Sequence, residues 1–449
     1  MQASIIIPVW NGASVVIDCL EALYTHSGSE LLEVICVDND SSDESVVRIT
    51  EAYPQVRLIH EPVNLGFAGG VNAGMEAAQG DIFILLNQDC IVRPGWLKAF
   101  LQALEVYPQY GIVGCTIYNA DGTLNHTGAR VRHPDAVGEH LTDLGDGQVR
   151  PVEFVTGAAV AIRRQVWEVV GRFDEGYYPA YYEDSDYCYR ARHKGFETAW
   201  VPQAQVRHLF SSRAWQTDPI KHTTSGYTSR YRFVCKHFSD REMGAFFEAE
   251  SAALENVRYL DHALGRVIAA RDTLRSLPDI LERRRLDLDE VLSISGQRQL
   301  RVGFTQVFRQ ALEMARQLAL SEFATPGPDK DLQRSIASTF DQWGASARRL
   351  QELRQREEAL FTLLYPRSPH DLQPKSVIRR LNQLLFKPLT NWLLGHDHAL
   401  LSELNAVHIE HMATLERRIE QAAEIDQWHY RRAEERLRLL ELLTDYEQR

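Results

Sequence analysis

Ile82-Phe83-Ile84-Leu85-Leu86 is an unbroken apolar run that stops at Asn87-Gln88-Asp89. A short run with no polar alternation fits a strand buried on both faces of a parallel sheet. Such a strand needs helices on both sides, so the chain around it must alternate strand and helix. Ligands of open α/β sheets bind beyond the carboxyl ends of these strands. Asp89 stands at such an end. A carboxylate there either caps the helix expected from Pro94 or, beside a phosphate-bearing ligand, holds a divalent cation.

The preceding residues show that alternation. Residues 4–9, 32–37 and 56–60 read as strands, and residues 15–24 have helical spacing. The second strand runs into Asp38-Asn39-Asp40-Ser41-Ser42-Asp43. Ser42 or Asp43 is the expected N-cap of the next helix. Asp38 and Asn39 either belong to that capping cluster or hydrogen-bond a base or ribose at the strand end. The glycine-rich stretch 64–74 allows the backbone to approach a ligand or a neighbouring strand closely. It is neither a Walker loop nor a dinucleotide fingerprint, although Asn72 within it has the reach to touch a nucleotide. Residues 75–79 are expected to complete a helix closed by Gly80. The first 90 residues thus read as half of a doubly wound nucleotide-binding sheet.

Beyond Asp89, Pro94 opens a helix to Tyr107, and residues 111–117 form another strand. Residues 118–150 are polar, with Asp121-Gly122 and Gly145-Asp146-Gly147, and read as a hairpin or loop over the site. A strand over 155–162 and a helix over 164–170 follow. The second polar centre is Glu183-Asp184-Ser185-Asp186, at the start of a helix whose dipole favours negative charge. It is either a general base with an orienting carboxylate or a well-capped helix start. His208 follows the strand over 197–201; a lone histidine is ordinarily structural or exposed.

These residues together resemble a known family. Ile7-Pro8-Val9-Trp10-Asn11, Val37-Asp38-Asn39, Asn64-Leu65-Gly66-Phe67, Asn87-Gln88-Asp89, Gly171-Arg172-Phe173-Asp174-Glu175, Glu183-Asp184 and His208 occur in the order found in family 2 glycosyltransferases of the GT-A fold. The resemblance is nearest to rhamnosyltransferase-like and galactofuranosyltransferase-like members and covers about residues 1–240. It implies an α/β fold, a nucleotide-sugar-binding sheet of mostly parallel strands flanked by helices. It also implies an inverting transfer from a nucleotide-diphosphate donor, a dTDP- or UDP-sugar with rhamnose-like sugars favoured. The acceptor would be a hydroxyl of a glycan or lipid-linked glycan in cell-surface polysaccharide synthesis. Asp184 would be the catalytic base. Asp89 and His208 would hold Mg²⁺ or Mn²⁺; Asn87 stands where the family's DxD-type motif has its first carboxylate, which leaves Asp89 the main carboxylate ligand. Asp38 and Asn39 would contact base or ribose. Pro8, Asn11, Asn64, Gly66, Asn72, Asn87 and Gln88 would line the donor site, and Gly157 and Glu183 the acceptor site. The competing readings are a sugar nucleotidyltransferase, which usually carries a basic glycine-rich loop after the first strand, and an inactive scaffold.

A chain of 449 residues is too long for one ordinary core. After residue 240 strand patterns vanish and Leu, Glu, Arg, Gln and Ala dominate. The division expected is a catalytic domain over 1–240 and an all-helical C-terminal domain over 241–449. Helical spacing covers 246–275, 301–322, 331–364 and 398–446, with breaks at Pro278 and Pro326-Gly327-Pro328. The last of these has the narrow apolar stripe of a bundle or homo-oligomer partner. Residues 375–394 interleave Trp392, Phe386 and leucines with Lys375, Arg379, Arg380 and Lys387, the pattern of a bundle helix or of a peripheral membrane contact. A net charge of −12 argues against a general nucleic-acid binder. Six cysteines without a CxxC pair exclude the usual thiolate zinc site and fit a reducing, cytoplasmic setting. Strand-like residues from Ser4 leave no room for a signal peptide, and no run of about 20 apolar residues offers a membrane span.

Overall fold

The computed structural model describes residues 1–209 and 219–323. Strand β1 (Ala3–Val9) is followed by α1 (Val16–His26), β2 (Leu31–Asn39), α2 (Ser45–Ala52), β3 (Arg57–Glu61), α3 (Gly66–Ala77) and β4 (Ile82–Leu86). Next come β5 (Cys90–Val92), α4 (Trp96–Val106), β6 (Tyr110–Asn119), and the short strands β7 (Leu124–His126), β8 (Ala129–Arg132), β9 (Val137–His140) and β10 (Arg150–Pro151). Strand β11 (Ala159–Arg163), α5 (Arg164–Val170), a 3-10 turn (Glu175–Tyr177), α6 (Glu183–His193) and β12 (Glu197–His208) complete the α/β part. Helices α7 (Pro219–His237), α8 (Asp240–Glu255), α9 (Leu260–Leu288) and α10 (Ile294–Phe323) follow.

Ten strands form one mixed sheet, in the order β10-β12-β6-β11-β4-β1-β2-β3 with β5 on β12 and β7 on β6, and β8 and β9 form a separate two-stranded sheet. Strands β4, β1, β2 and β3 run parallel, so their carboxyl ends share one edge. Strand β11 runs antiparallel between β4 and β6. All five residues of β4 are buried, as the apolar run requires, and Ile5, Ile6 and Ile7 of β1 are fully buried beside them. Two faces of apolar side chains without alternation are possible only because α1 and α4 cover one side and α3 and α5 the other.

The glycine-rich stretch is itself helix α3, and its glycines serve the approach to a neighbouring strand. A Cβ on Gly74 would lie 2.3 Å from Ile6 Cγ2, and one on Gly70 2.7 Å from Asn39 Nδ2. Close packing on β1 and β2 overrides the poor helix propensity of glycine. The helix ends at Ala77 with Ala78 as C-cap, so Gly80 is not its cap; Gly80 is pressed against Ser4, to whose Oγ its N–H donates at 2.8 Å. Glu44 occupies the N-cap position of α2 without a side-chain cap bond, and Asp43 supplies one from a residue earlier, accepting from Ser45 N–H at 3.0 Å; Ser42 does not cap it. Their polar atoms tie the β1–α1 loop to the β2–α2 loop: Asp43 accepts from Ala13 N–H, and Ser42 N–H donates to Asn11.

The described residues beyond 240 are helical and contain no strand. Pro278 does not break its helix: α9 runs through it, with Leu277 and Ile280 buried on either side. That packing outweighs the roughly 3 kcal/mol cost of proline in a helix interior. Residues 1–314 form one compact unit and residues 315–449 a second, of which only 315–323, helical, are described. The segments 331–364, 375–394 and 398–446 lie outside the described residues. No helix among the described residues is long and apolar enough to cross a membrane.

Candidate active site

The turn after β4 carries Asp89, and β5 then runs antiparallel to β12 with Cys90 opposite His208. This register brings together residues 119 apart in sequence: His208 Nε2 lies 3.0 Å from Asp89 Oδ1. Leu209 N–H also donates to the Asp89 carbonyl at 2.9 Å. Both side chains are partly open to solvent, at 23% and 15% exposure. Cys90 Sγ is within 4.8 Å of them but fully buried. Burial, and then the charge of Asp89, push its thiol well above the usual range, and Sγ donates to the Ala158 carbonyl. The protonated thiol is a poor ligand. A carboxylate and an imidazole remain, both partly exposed to solvent. That donor set fits a hard divalent ion such as Mg²⁺ or Mn²⁺.

The second centre is the start of α6. Tyr181 and Tyr182 precede it with φ of 83° and 67°, a left-handed conformation uncommon for aromatic residues. The Tyr182 hydroxyl holds this bend by donating to the Ala136 carbonyl at 2.7 Å and accepting from Gly138 N–H at 3.2 Å. The bend turns Asp184 onto Gly157, whose N–H donates to Asp184 Oδ2 at 3.0 Å. A Cβ on Gly157 would stand 2.8 Å from the Phe67 ring, so glycine here lets the 64–67 turn and Asp184 share one wall. Phe67 N–H donates to the Pro179 carbonyl, closing that wall from the other side.

The three carboxylates of α6 have separate environments. Asp184 is half-buried. Glu183 is buried with Oε2 unpartnered, and desolvation, then the neighbouring Asp184, raises its pKa well above the usual carboxyl range. Asp186 is fully buried and structural. It bonds Arg190 Nε at 2.8 Å one turn along, as the i,i+4 spacing suggests, but also Lys236 Nζ at 2.7 Å and His237 Nε2 at 2.8 Å. Lys236 Nζ sits among three carboxylates, with Asp174 at 2.8 Å and Asp287 at 2.9 Å. These three acids have the spacing of a metal cage, yet an ammonium lies among them. The cluster fastens α6 to α7 and α9.

On the donor side, the structure sets several expected contact residues beneath the surface. Asp38 is fully buried, with Oδ2 at 2.6 Å from His60 Nδ1 and Oδ1 accepting from Ser41 N–H at 3.1 Å. Asn39 is buried and donates to the Gly66 carbonyl at 2.9 Å, so it shapes the 64–66 turn and does not face a nucleotide. Asn64 accepts from Gly66 N–H at 2.8 Å, and Gly66 has φ of 71°, which suits glycine. Asn72, expected within reach of a nucleotide, is fully buried and committed elsewhere: its amide exchanges hydrogen bonds with Phe173 and donates to Glu175. Its role is a latch between α3 and the 173–175 turn. Asn11 and Pro8 lie at the end of β1, where Gln88 clasps both backbone polar groups of Trp10 at 3.1 and 3.0 Å. Asn87 N–H donates to the Ala158 carbonyl, joining β4 to the Gly157 turn.

His60, Tyr182 and Lys236 complete the site without a motif of their own, and Phe67 closes the Asn64-Leu65-Gly66-Phe67 motif. Only His60 had a local signal, since two parallel strands ending in step set Asp38 opposite it.

Residues 4–169 match the family model described as glycosyl transferase family 2. The chain is 28% identical over 236 residues to the N-acetylglucosaminyl-diphospho-decaprenol L-rhamnosyltransferase of Mycobacterium tuberculosis strain H37Rv, a match covering 46% of this chain and 76% of that one. It is also 28% identical over 233 residues to the uncharacterized protein y4gI of Sinorhizobium fredii strain NGR234, covering 49% of this chain but only 26% of that one. A solved structure of GalNAc-T7 with UDP, GalNAc and Mn²⁺ is similar at a TM-score of 0.49 and 16% identity, over 74% of this chain and 59% of that chain.

Proposed function

We propose, from the premise that residues 4–169 are a family 2 glycosyltransferase domain, that this chain is a metal-dependent inverting hexosyltransferase. Its donor is a UDP- or dTDP-sugar, rhamnose-like by analogy with the mycobacterial relative, and its acceptor is a hydroxyl of a glycan or lipid-linked glycan. The observation that carries this reading is the convergence of two chemistries at one sheet edge: the Asp89–His208 pair and Asp184, set on the turn that β11 joins to β4.

Asp89 and His208 are the residues that would hold the divalent ion, whose charge offsets that of the departing nucleoside diphosphate. Asp184 accepts the proton of the acceptor hydroxyl as its oxygen attacks the anomeric carbon. The anomeric C–O bond to the diphosphate breaks in the same displacement, so the anomeric configuration inverts. Gly157 N–H fixes one oxygen of Asp184 and Ser185 N–H the other, at 3.0 and 2.6 Å, which aims the carboxylate without neutralising it. Glu183 beside it, buried with Oε2 unpartnered, is placed to hydrogen-bond an acceptor hydroxyl. The 64–67 turn and Phe67 close the wall between donor and base.

Incubation with a panel of nucleotide sugars and glycan acceptors, followed by nucleoside diphosphate release, tests the reading. Acceptor-dependent release of UDP or dTDP with an inverted product linkage is expected. Pyrophosphate-dependent formation of a nucleotide sugar would favour a nucleotidyltransferase instead, and no turnover of any donor would favour the scaffold.

The metal assignment has its own test. Asp89→Asn and His208→Ala should each weaken Mn²⁺ binding in the presence of UDP by at least about tenfold, read by titration of the Mn²⁺ EPR signal. Unchanged Mn²⁺ affinity in both variants would reduce the pair to a structural hydrogen bond.

A further inference from the structure

We propose that His60 reads the base of the donor nucleotide, favouring bases with a hydrogen on the ring nitrogen of their pairing edge, such as uracil and thymine, over cytosine. The proposal rests on the donor-site reading above and assigns its specificity to a residue that carries no motif.

Asp38 cannot do this itself. Its side chain has no solvent exposure, and its two oxygens are taken by His60 and by Ser41 N–H. The His60 side chain, in contrast, is 63% exposed at the end of β3, directly across the ladder from Asp38. A carboxylate only accepts hydrogen bonds, so His60 Nδ1 carries the hydrogen in the 2.6 Å contact. With Nδ1 so committed, the uncharged form of the ring presents Nε2 as an acceptor, and Nε2 has no hydrogen-bond partner among the described residues. A buried carboxylate that fixes the tautomer and angle of a histidine is the arrangement by which proteins aim the other ring nitrogen at a ligand.

The neighbouring strand ends suit a base as well. Trp10 follows β1 on the same edge, 43% exposed, with its backbone clasped on both sides by Gln88. An exposed aromatic face on this edge offers stacking to any base, and the oriented acceptor adds one selective hydrogen bond. Uracil and thymine present N3–H to that acceptor. Cytosine presents a lone pair at N3, which repels the lone pair of Nε2.

Calorimetric titration of the full chain with the pairs UDP and CDP, and dTDP and dCDP, in the presence of Mn²⁺ tests this without any turnover. The wild type should favour the uracil or thymine member about ten- to hundredfold, the range for one satisfied against one frustrated polar contact. His60→Asn supplies an amide N–H for Asp38 but no acceptor beyond it, and should bind the members of each pair within about twofold of one another. His60→Lys supplies only donors and should shift the preference towards cytosine. Retained discrimination in both variants, or equal binding of each pair by the wild type, would overturn the proposal while leaving the donor site standing. No binding of any nucleoside diphosphate by the wild type would overturn the donor site, and this proposal with it.

Discussion

Asp184→Asn lowers kcat by about 10²–10⁴-fold and leaves the affinity for the donor nucleotide nearly unchanged, the signature of a lost general base. The substitution keeps the shape of the side chain, and Oδ1 of the amide can still accept from Gly157 N–H or Ser185 N–H, so the start of α6 should hold its place. The comparison that isolates basicity is Glu183→Gln. Glu183→Gln makes the same near-isosteric change one residue earlier, at a carboxyl whose pKa burial and then Asp184 raise well above the usual range. Single-turnover rates with saturating donor, alongside nucleotide titrations, separate the two. A variant at 184 that turned over at the parental rate while the 183 variant was inactive would move the base by one residue.

Lys236→Met is expected to destabilise the fold by about 3–5 kcal/mol, the cost of leaving buried charges without their partner. It would be read as the shift of a urea unfolding curve. Three carboxylates would then face one another, with Arg190 and Arg232 left to compensate Asp186 and Asp174. The pH dependence has a definite sign. Burial opposes the charge of both acids, but Lys236 foremost, with Arg190 at Asp186 and Arg232 at Asp174, holds their pKa values below the ordinary carboxylate range, well below it for Asp186. The unfolded value is about 3.9. Stability from these groups is therefore fully present above about pH 4 and is lost as pH falls through the lower folded values. The gap between wild type and Lys236→Met should be constant from pH 5 to 8 and narrow below pH 4. A constant gap down to pH 2 would mean that the effect of the substitution is packing alone.

What could be read in the residues depended on how local the cause was. The run 82–86 announces a doubly buried strand because burial on both faces leaves no place for alternation, and β4 is that strand. The position of Asp89 follows from it. The partnership of Asp89 with His208 does not, since it depends on β5 folding back along β12; only the family pattern suggested it. Depth was illegible for the same reason. Asp38, Asn39 and Asn72 are polar residues near a strand end or in a glycine-rich segment, and nothing in the chain distinguishes a side chain facing the cleft from one holding the turn beneath it. The glycines of α3 left open whether the backbone approaches a ligand or a strand, and only the packing on Ile6 and Asn39 decides it. Lys236 and Asp287 lie 50 and 101 residues beyond Asp186 in the chain, yet all three meet in the fold.

Strand β11 has a consequence for the order in which the molecule assembles. It runs against its neighbours and is the only hydrogen-bonded seam between the β1–β4 side of the sheet and the β6–β12 side among the described residues. Everything on the first side, including the nucleotide edge, closes through ladders within residues 3–86. The ladder across the seam must wait for residues 159–163, and the pairing that delivers His208 to Cys90 spans a still longer loop. Contacts of long sequence separation form late because their loop-closure entropy must be met first. A nascent chain is therefore expected to close the ladders within residues 3–86 before it acquires the pairing that carries His208 or the β11 seam beside Gly157 and Asp184.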